Sequence, residues 1–297
     1  MSGLAGRIGL SCALATPFTA EGPVDLPRML AHASRLLEDG VDSVTLFGTT
    51  GEGASIGLGE RRVVLGAFGG AGIPSSRILA GVSAASADDA IEQARVAYAA
   101  NCRAILMAPA FYFPEPGDDG LFDWFSAVFR GLGGELRDIL LYNIPSMTRA
   151  TITPALMARL RAAFPGAVLG VKDSSGDWNS ARAFLEQHRD AQVLVGDESL
   201  LARCVREGGS GTICGLANLG GALLRSAAHE GRDDPRIVSL IRAFGEDPFL
   251  AGIKALIASR YDDEGWLRMR PPMTALTPER QATLAARATA ALAAKAA

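Results

Sequence analysis

Eight short apolar runs, separated by single amphipathic stretches, restrict this chain to a narrow set of folds. The runs are rich in β-branched and aliphatic residues and read as strands at Gly9–Thr16, Ser43–Gly48, Ile78–Val82, Ala104–Ala108, Ile139–Asn143, Ala167–Lys172, Gln192–Gly196 and Gly211–Cys214. Between them lie helical stretches at Leu26–Asp39, Gly59–Phe68, Ala87–Ala99, Gly120–Gly131, Pro154–Phe164, Asn179–His188 and Glu198–Glu207. The strands are apolar on both faces, the pattern of a parallel sheet covered by helices. Such a series suits a closed (β/α)8 TIM barrel of α/β class better than an open doubly wound sheet, which stays as the alternative. Helix punctuation agrees: Asp25, Ser86 and Thr153 are N-cap candidates, Pro154 follows Thr153, and Gly40 suits the residue just past a helix end.

The alternation stops after Gly231. A polar break, Arg232-Asp233-Asp234-Pro235, leads into helical segments at Arg236–Phe244, Pro248–Tyr261 and Pro278–Ala294, the last two joined across Arg270-Pro271-Pro272. The expected division is a catalytic barrel over residues 1–232 and a C-terminal helical domain over 233–297, packed on the barrel and without a catalytic unit of its own. The Ala-rich stretch Ala288–Ala297 reads as a fraying helix end.

Composition excludes several function classes. The net charge is −3 with acids and bases interspersed, so the basic stripe that nucleic acid or an acidic membrane surface requires is missing. No uninterrupted apolar run reaches the ~20 residues of a membrane span, and no signal peptide opens the chain, so a cytoplasmic protein is expected. Cys12, Cys102, Cys204 and Cys214 form no CxxC pair and read as buried, reduced thiols. His32, His188 and His229 lie far apart, in no metal-ligand spacing. A metal site is not expected.

Of the 29 basic residues, three are lysine: Lys172, Lys254 and Lys295. Where arginine serves as the default cation, each lysine invites a separate question, because a guanidinium stays protonated and cannot act as an amine nucleophile. Lys254, in the middle of an appendage helix, reads as structural. Lys172 ends the sixth strand, and active sites of such barrels lie at the C-terminal strand ends. A snorkelling strand end or an ion pair with Asp173 is the plain reading. The chemical one is a Schiff base: loss of hydration disfavours a charged amine, a neutral amine attacks a ketone, and the protonated imine is an electron sink. Tyr142 precedes Lys172 by one βαβ unit, which puts the two on neighbouring strands about 5 Å apart. A phenol there either shuttles protons or is a core tyrosine with its hydroxyl satisfied. The turn Gly48-Thr49-Thr50-Gly51-Glu52 offers hydroxyls and backbone N–H groups to a small carboxylate, or is a plain turn; it lacks the end of a phosphate loop.

Together these stretches resemble the dihydrodipicolinate synthase / N-acetylneuraminate lyase family of class I, Schiff-base aldolases. The resemblance rests on Ala15-Thr16-Pro17-Phe18, Gly48-Thr49-Thr50-Gly51-Glu52, Tyr142-Asn143-Ile144-Pro145, Val171-Lys172-Asp173-Ser174-Ser175-Gly176 and Gly196-Asp197, in family order over nearly the whole chain. It implies a barrel with a C-terminal helical domain, assembled as a homotetramer or a dimer, acting on pyruvate or a related 2-keto acid without a cofactor. It also implies roles: Lys172 as Schiff-base lysine, Tyr142 as proton relay, Thr49 and Thr50 on the keto-acid carboxylate with Thr50 also in the relay. Gly48, Gly196 and Ile213 line the keto-acid pocket.

Two departures bear on the substrate. Synthases follow Tyr-Asn-x-Pro with Ser-Arg-Thr-Gly, whose arginine binds the carboxylate of the aldehyde partner; here the stretch is Ser146-Met147-Thr148-Arg149. A thioether cannot replace bidentate recognition of a carboxylate. In the fourth-strand loop, Phe111 takes the place of the second tyrosine of Pro-Tyr-Tyr, with Tyr112 next to it as a weaker candidate. Both changes favour lyases or dehydratases of 2-keto-3-deoxy sugar acids or sialic-acid-like substrates. The alternatives are 4-hydroxy-tetrahydrodipicolinate synthase, with Arg149 rescuing acid recognition, and a non-catalytic barrel that binds a keto acid. Asn218 and Ser175 are minor hydroxyl-binding candidates.

Overall fold

The computed structural model describes residues 6–293 and closes eight parallel strands into a barrel in the order of the chain. The strands are β1 (Gly9–Ala13), β2 (Ser43–Leu46), β3 (Ile78–Val82), β4 (Ala104–Met107), β5 (Ile139–Asn143), β6 (Val168–Asp173), β7 (Gln192–Val195) and β8 (Gly211–Cys214), with β8 pairing back to β1. Strand positions match the expectation, although β1 and β2 end earlier than their apolar runs. The residues beyond them, Leu14–Thr16 and Phe47–Gly48, turn into the loops of the barrel mouth. The open-sheet alternative is therefore excluded.

Helices α1 (Leu26–Glu38), α2 (Leu58–Gly70), α3 (Ala87–Ala99) and α4 (Asp118–Leu132) cover the first half of the barrel. The short α5 (Pro145–Thr148) precedes α6 (Pro154–Ala163), α7 (Trp178–Gln187), α8 (Leu201–Arg206) and α9 (Arg225–Glu230). The N-caps read from sequence are made: Asp25, Ser86 and Thr153 accept from the backbone N–H of Arg28, Asp89 and Leu156. Gly40 adopts φ +90° just beyond α1, a conformation that favours glycine. Helices α5 and α9 had no counterpart in the sequence reading. Each is too short, at 4 and 6 residues, to show helical periodicity.

Strand residues alternate between two layers. Ala13, Leu79, Leu106, Leu140, Tyr142, Leu194 and Ile213 pack inside the barrel. Leu10, Val44, Ile105, Val171 and Val195 face outward to the helices in the main apolar cluster. All four cysteines are free and buried.

Three further helices, α10 (Pro235–Ala243), α11 (Phe249–Tyr261) and α12 (Pro278–Ala293), follow the barrel. Every residue of α11 from Ala251 to Ala258 is buried, so this helix runs through the interior between barrel and appendage. Ile253, Ile257 and Leu284 belong to the same apolar cluster as the outward faces of the strands. Each such side chain contributes about 1.5–3 kcal/mol when fully buried. The helix expected up to Ala294 is seen to Ala293; the rest of the tail read as fraying, and Lys295 with it, lies outside the described residues.

Candidate active site

The parity of β5 and β6 turns Tyr142 and Lys172 toward the barrel axis, and the two residues are paired across the sheet. Both are buried, at 4% and 5% exposure. Lys172 Nζ donates to the Tyr142 hydroxyl at 3.1 Å and stands 4.2 Å from the centre of its ring. The Tyr142 hydroxyl lies 3.2 Å from Thr49 Oγ1, so amine, phenol and threonine form one chain. The ion pair with Asp173 does not form. The Asp173 carboxylate accepts instead from Asn143 Nδ2 at 2.8 Å and from the N–H and hydroxyl of Ser175, both at 3.1 Å. Lys172 has no acidic partner among the described residues, which leaves its amine to the phenol.

The Thr49–Thr50 turn is held by backbone in an uncommon conformation. Phe47 and Glu52, on either side of it, both adopt left-handed φ, at +59° and +54°. Such residues cost of order 1–3 kcal/mol and persist where their surroundings fix them. Phe47 lies under the Arg61 guanidinium at 4.6 Å. Arg61 itself is buried and donates to the carbonyls of Ile56, Gly53 and Gly81 at 3.0, 2.7 and 2.7 Å. Burial brings its pKa down to about 10. Glu52 accepts from Lys254 Nζ at 2.6 Å and from the Arg270 N–H at 3.1 Å. Gly53 is forced by contact: a Cβ there would stand 1.8 Å from the Phe47 carbonyl oxygen.

Above this layer opens a cavity of about 520 Å³, within the usual range for small-molecule sites. Gly48, Thr49, Thr50 and Tyr142 form its polar floor. Its walls come from Ala108 and Phe111 after β4, Ile144, Met147 and Thr148 after β5, and Pro248, Phe249, Leu250 and Met273 from the C-terminal region. Phe249 reaches over Gly215, where a Cβ would meet its ring at 2.5 Å. Gly196 abuts the lysine: a Cβ there would stand 1.9 Å from Ser174 Oγ and 3.1 Å from Lys172 Cε. Ile213 is fully buried in the inner layer with Leu194 and Tyr142.

Not every sequence candidate is brought here. Thr50, expected in the relay, stays in the cavity floor but turns its hydroxyl toward Gly215, and it is Thr49 that shares a hydrogen bond with the Tyr142 hydroxyl. Tyr112 is 82% exposed, with φ +88°, and stacks edge-on against Phe113; its neighbour Phe111 faces the cavity instead. Arg149 is left-handed at the end of α5 and points to the surface near Glu115, at 3.6 Å. In an ungapped loop it stands two residues past Met147, too far along the turn to take that position. Asn218 is committed to backbone: its Oδ1 accepts from Ala15 N at 2.9 Å and its Nδ2 donates to the carbonyls of Ala13 and Gly215 at 2.8 Å each.

Sequence reasoning missed Arg61, the Glu52–Lys254 pair and the wall from Pro248 to Leu250. The first carried one available signal, an arginine inside an otherwise apolar helix face. The others join residues about 200 positions apart and left no local trace. Among the described residues, no group of three or more His, Cys, Asp or Glu side chains is placed to hold a metal, and no helix is long and apolar enough to cross a membrane.

Comparison with known proteins places this geometry. Residues 7–291 match the model of the Dihydrodipicolinate synthetase family. An uncharacterized DapA-like lyase of Chloroflexus aurantiacus is 31% identical over 233 residues, 76% of each chain. The crystal structure of dihydrodipicolinate synthase from Agrobacterium tumefaciens superposes with a TM-score of 0.93 at 48% identity, covering 96% of this chain and 99% of the other. The 2-keto 3-deoxygluconate aldolase from Picrophilus torridus gives a TM-score of 0.79 at 25% identity, over 90% and 97% of the two chains. The chain is thus a TIM-barrel enzyme of the dihydrodipicolinate synthetase family, a family of class I aldolases and lyases.

Proposed function

We propose that the protein forms an imine between Lys172 and pyruvate, or a related 2-keto acid, and uses it to make or break a bond of a 2-keto acid substrate. The observation that carries this reading is the buried amine 3.1 Å from a phenol that itself touches Thr49. The keto-acid carboxylate sits on the hydroxyls of Thr49 and Thr50 beside Gly48, with Gly196 and Ile213 shaping the space around the amine. Lys172 attacks the ketone carbon, and Tyr142 passes a proton to the departing hydroxyl, which leaves as water. The imine nitrogen then withdraws electrons from the adjacent carbon, which gives up a proton to become a nucleophilic enamine. Run in reverse, the same intermediate accepts the electrons of a cleaved carbon–carbon bond.

The partner is an uncharged aldehyde, in line with the expectation of sugar-derived or sialic-acid-like 2-keto acids and against synthesis from a carboxylate-bearing semialdehyde. Glu52 carries the one charge among the cavity-lining residues, and Lys254 neutralises it. Arg149 stays at the surface near Glu115. A carboxylate entering that mouth loses hydration without a cation to replace it. We further propose that copies of the chain associate through the exposed Tyr112, Phe113 and Met147, as a homotetramer or a dimer.

The test is borohydride reduction in the presence of pyruvate, followed by peptide mass mapping. The reading requires a reduced adduct on the Lys172 peptide of the wild type and none in Lys172→Arg. An adduct on another residue, or turnover by the arginine variant, removes Lys172 from the chemistry.

A further inference from the structure

We infer that the aldehyde partner is apolar, of aromatic or branched aliphatic type, and not polyhydroxylated. The inference keeps the uncharged partner of the reading above, departs from the sugar-derived substrates expected from the sequence, and rests on Lys172 being the imine-forming residue. Beyond the Thr49–Thr50 floor, the space left for the partner is bordered by Phe111, Met147, Phe249, Leu250 and Met273, with Met147 and Phe249 at its solvent-facing rim. The side chains that would have to meet a row of sugar hydroxyls are few. The Thr148 hydroxyl is occupied: it donates within 3.1 Å of the carbonyls of Ile144 and Ala150 and accepts from Ala150 N at 3.3 Å. That leaves Ser55 and Ser83 as free hydroxyls on the walls.

A polyol chain buried against two aromatic rings, two thioethers and a leucine leaves several hydroxyls unpaired. Each such hydroxyl gives up its hydrogen bonds to water and gains none in return. An apolar aldehyde loses nothing there and gains from contact with the rings and thioethers. Three elements build the wall: the β4 loop, the β5 loop with α5, and the start of α11 with the segment after it. A single side-chain rotation therefore does not convert it to a polar one.

The bond changes are those of an aldol addition. The enamine carbon of the Lys172-bound keto acid attacks the aldehyde carbon. The carbonyl electron pair moves to its oxygen, which takes a proton from the Tyr142–Thr49 chain. Water then hydrolyses the imine, returning the free amine and a 4-hydroxy-2-keto acid with an apolar substituent at C4.

The experiment has two stages on the full chain. Borohydride trapping with pyruvate first shows whether the imine forms. Initial rates with pyruvate are then measured against benzaldehyde, glyceraldehyde and succinic semialdehyde. The expected result is an adduct, with kcat/KM for benzaldehyde at least tenfold above that for either competitor. Met147→Arg should reverse the order between benzaldehyde and the semialdehyde. An adduct with glyceraldehyde or the semialdehyde used as well as benzaldehyde, or with benzaldehyde not turned over, overturns the apolar partner and leaves the Schiff base standing. No adduct removes the Schiff-base reading and this inference together.

Discussion

Lys254 Nζ lies 2.6 Å from Glu52 Oε1 in a pair sealed from solvent, and the same ammonium donates to the Thr16 carbonyl at 2.9 Å. One contact thus ties helix α11 to the left-handed residue that ends the Thr49–Thr50 turn. Burial pulls the Lys254 pKa down while the Glu52 carboxylate pulls it up, and burial is the larger effect.

Removal of the ammonium leaves a carboxylate buried with one backbone N–H for a partner. Lys254→Met should therefore lose about 3–5 kcal/mol in urea unfolding. The double variant Lys254→Met, Glu52→Leu should recover part of that loss. A single variant within about 1 kcal/mol of wild type would show that the pair contributes little.

Tyr142 touches both the amine and Thr49, so loss of its hydroxyl breaks the proposed proton path while the ring still packs. Tyr142→Phe should lower kcat by about 10²–10⁴, the usual weight of acid–base help, with little change in stability. A drop below tenfold in steady-state kinetics would exclude the phenol from the rate-limiting proton transfer.

Gly196 leaves no room for a methyl group beside Ser174 and Lys172. Gly196→Ala should displace the lysine side chain and reduce the rate of pyruvate trapping by up to about 10²-fold, the scale set by a 1 Å misplacement. Combining it with Ser174→Gly should restore part of the rate. Unchanged trapping in the single variant would mean that the amine is positioned by other contacts.

His32 is buried, with its ring nitrogens at 3.0 Å from the Tyr261 hydroxyl and 3.1 Å from Asn218 Oδ1. Burial is the main cause that lowers its pKa from 6.5 to about 4. The unfolded chain therefore binds a proton between these values that the folded one refuses. The stability His32 contributes is present above pH 6.5 and is lost as pH falls toward 4. Linkage puts the loss at about 2 kcal/mol between about pH 7.5 and 5. His32→Gln should flatten that part of the urea-unfolding profile; an unaltered profile would assign the acid sensitivity to other groups.

The barrel was legible because its strands and longer helices are coded locally. Apolar runs with caps such as Ser86 and Thr153 depend on neighbours within a few residues. Lys172 and Tyr142 were legible for a related reason: in a parallel barrel, one βαβ unit in sequence is one strand in space, and period-2 alternation fixes which way each points. The relay partner was less so, because Thr49 and Thr50 are adjacent on a turn and only their φ and ψ decide which hydroxyl meets the phenol. The placement of Tyr112 and Arg149 at the surface was not legible for the same cause, since loop conformation, and not position in the motif, sets where their side chains go.

By itself, then, the sequence determined the number and order of the barrel strands and the pairing of Lys172 with Tyr142 at the barrel mouth. These follow from short-range patterning and from scarce lysine. Tertiary structure alone decided what surrounds them. The buried Glu52–Lys254 pair and the Phe249 wall depend on α11 packing across the barrel, and contacts between residues so distant in the chain have no local signature for a sequence to display.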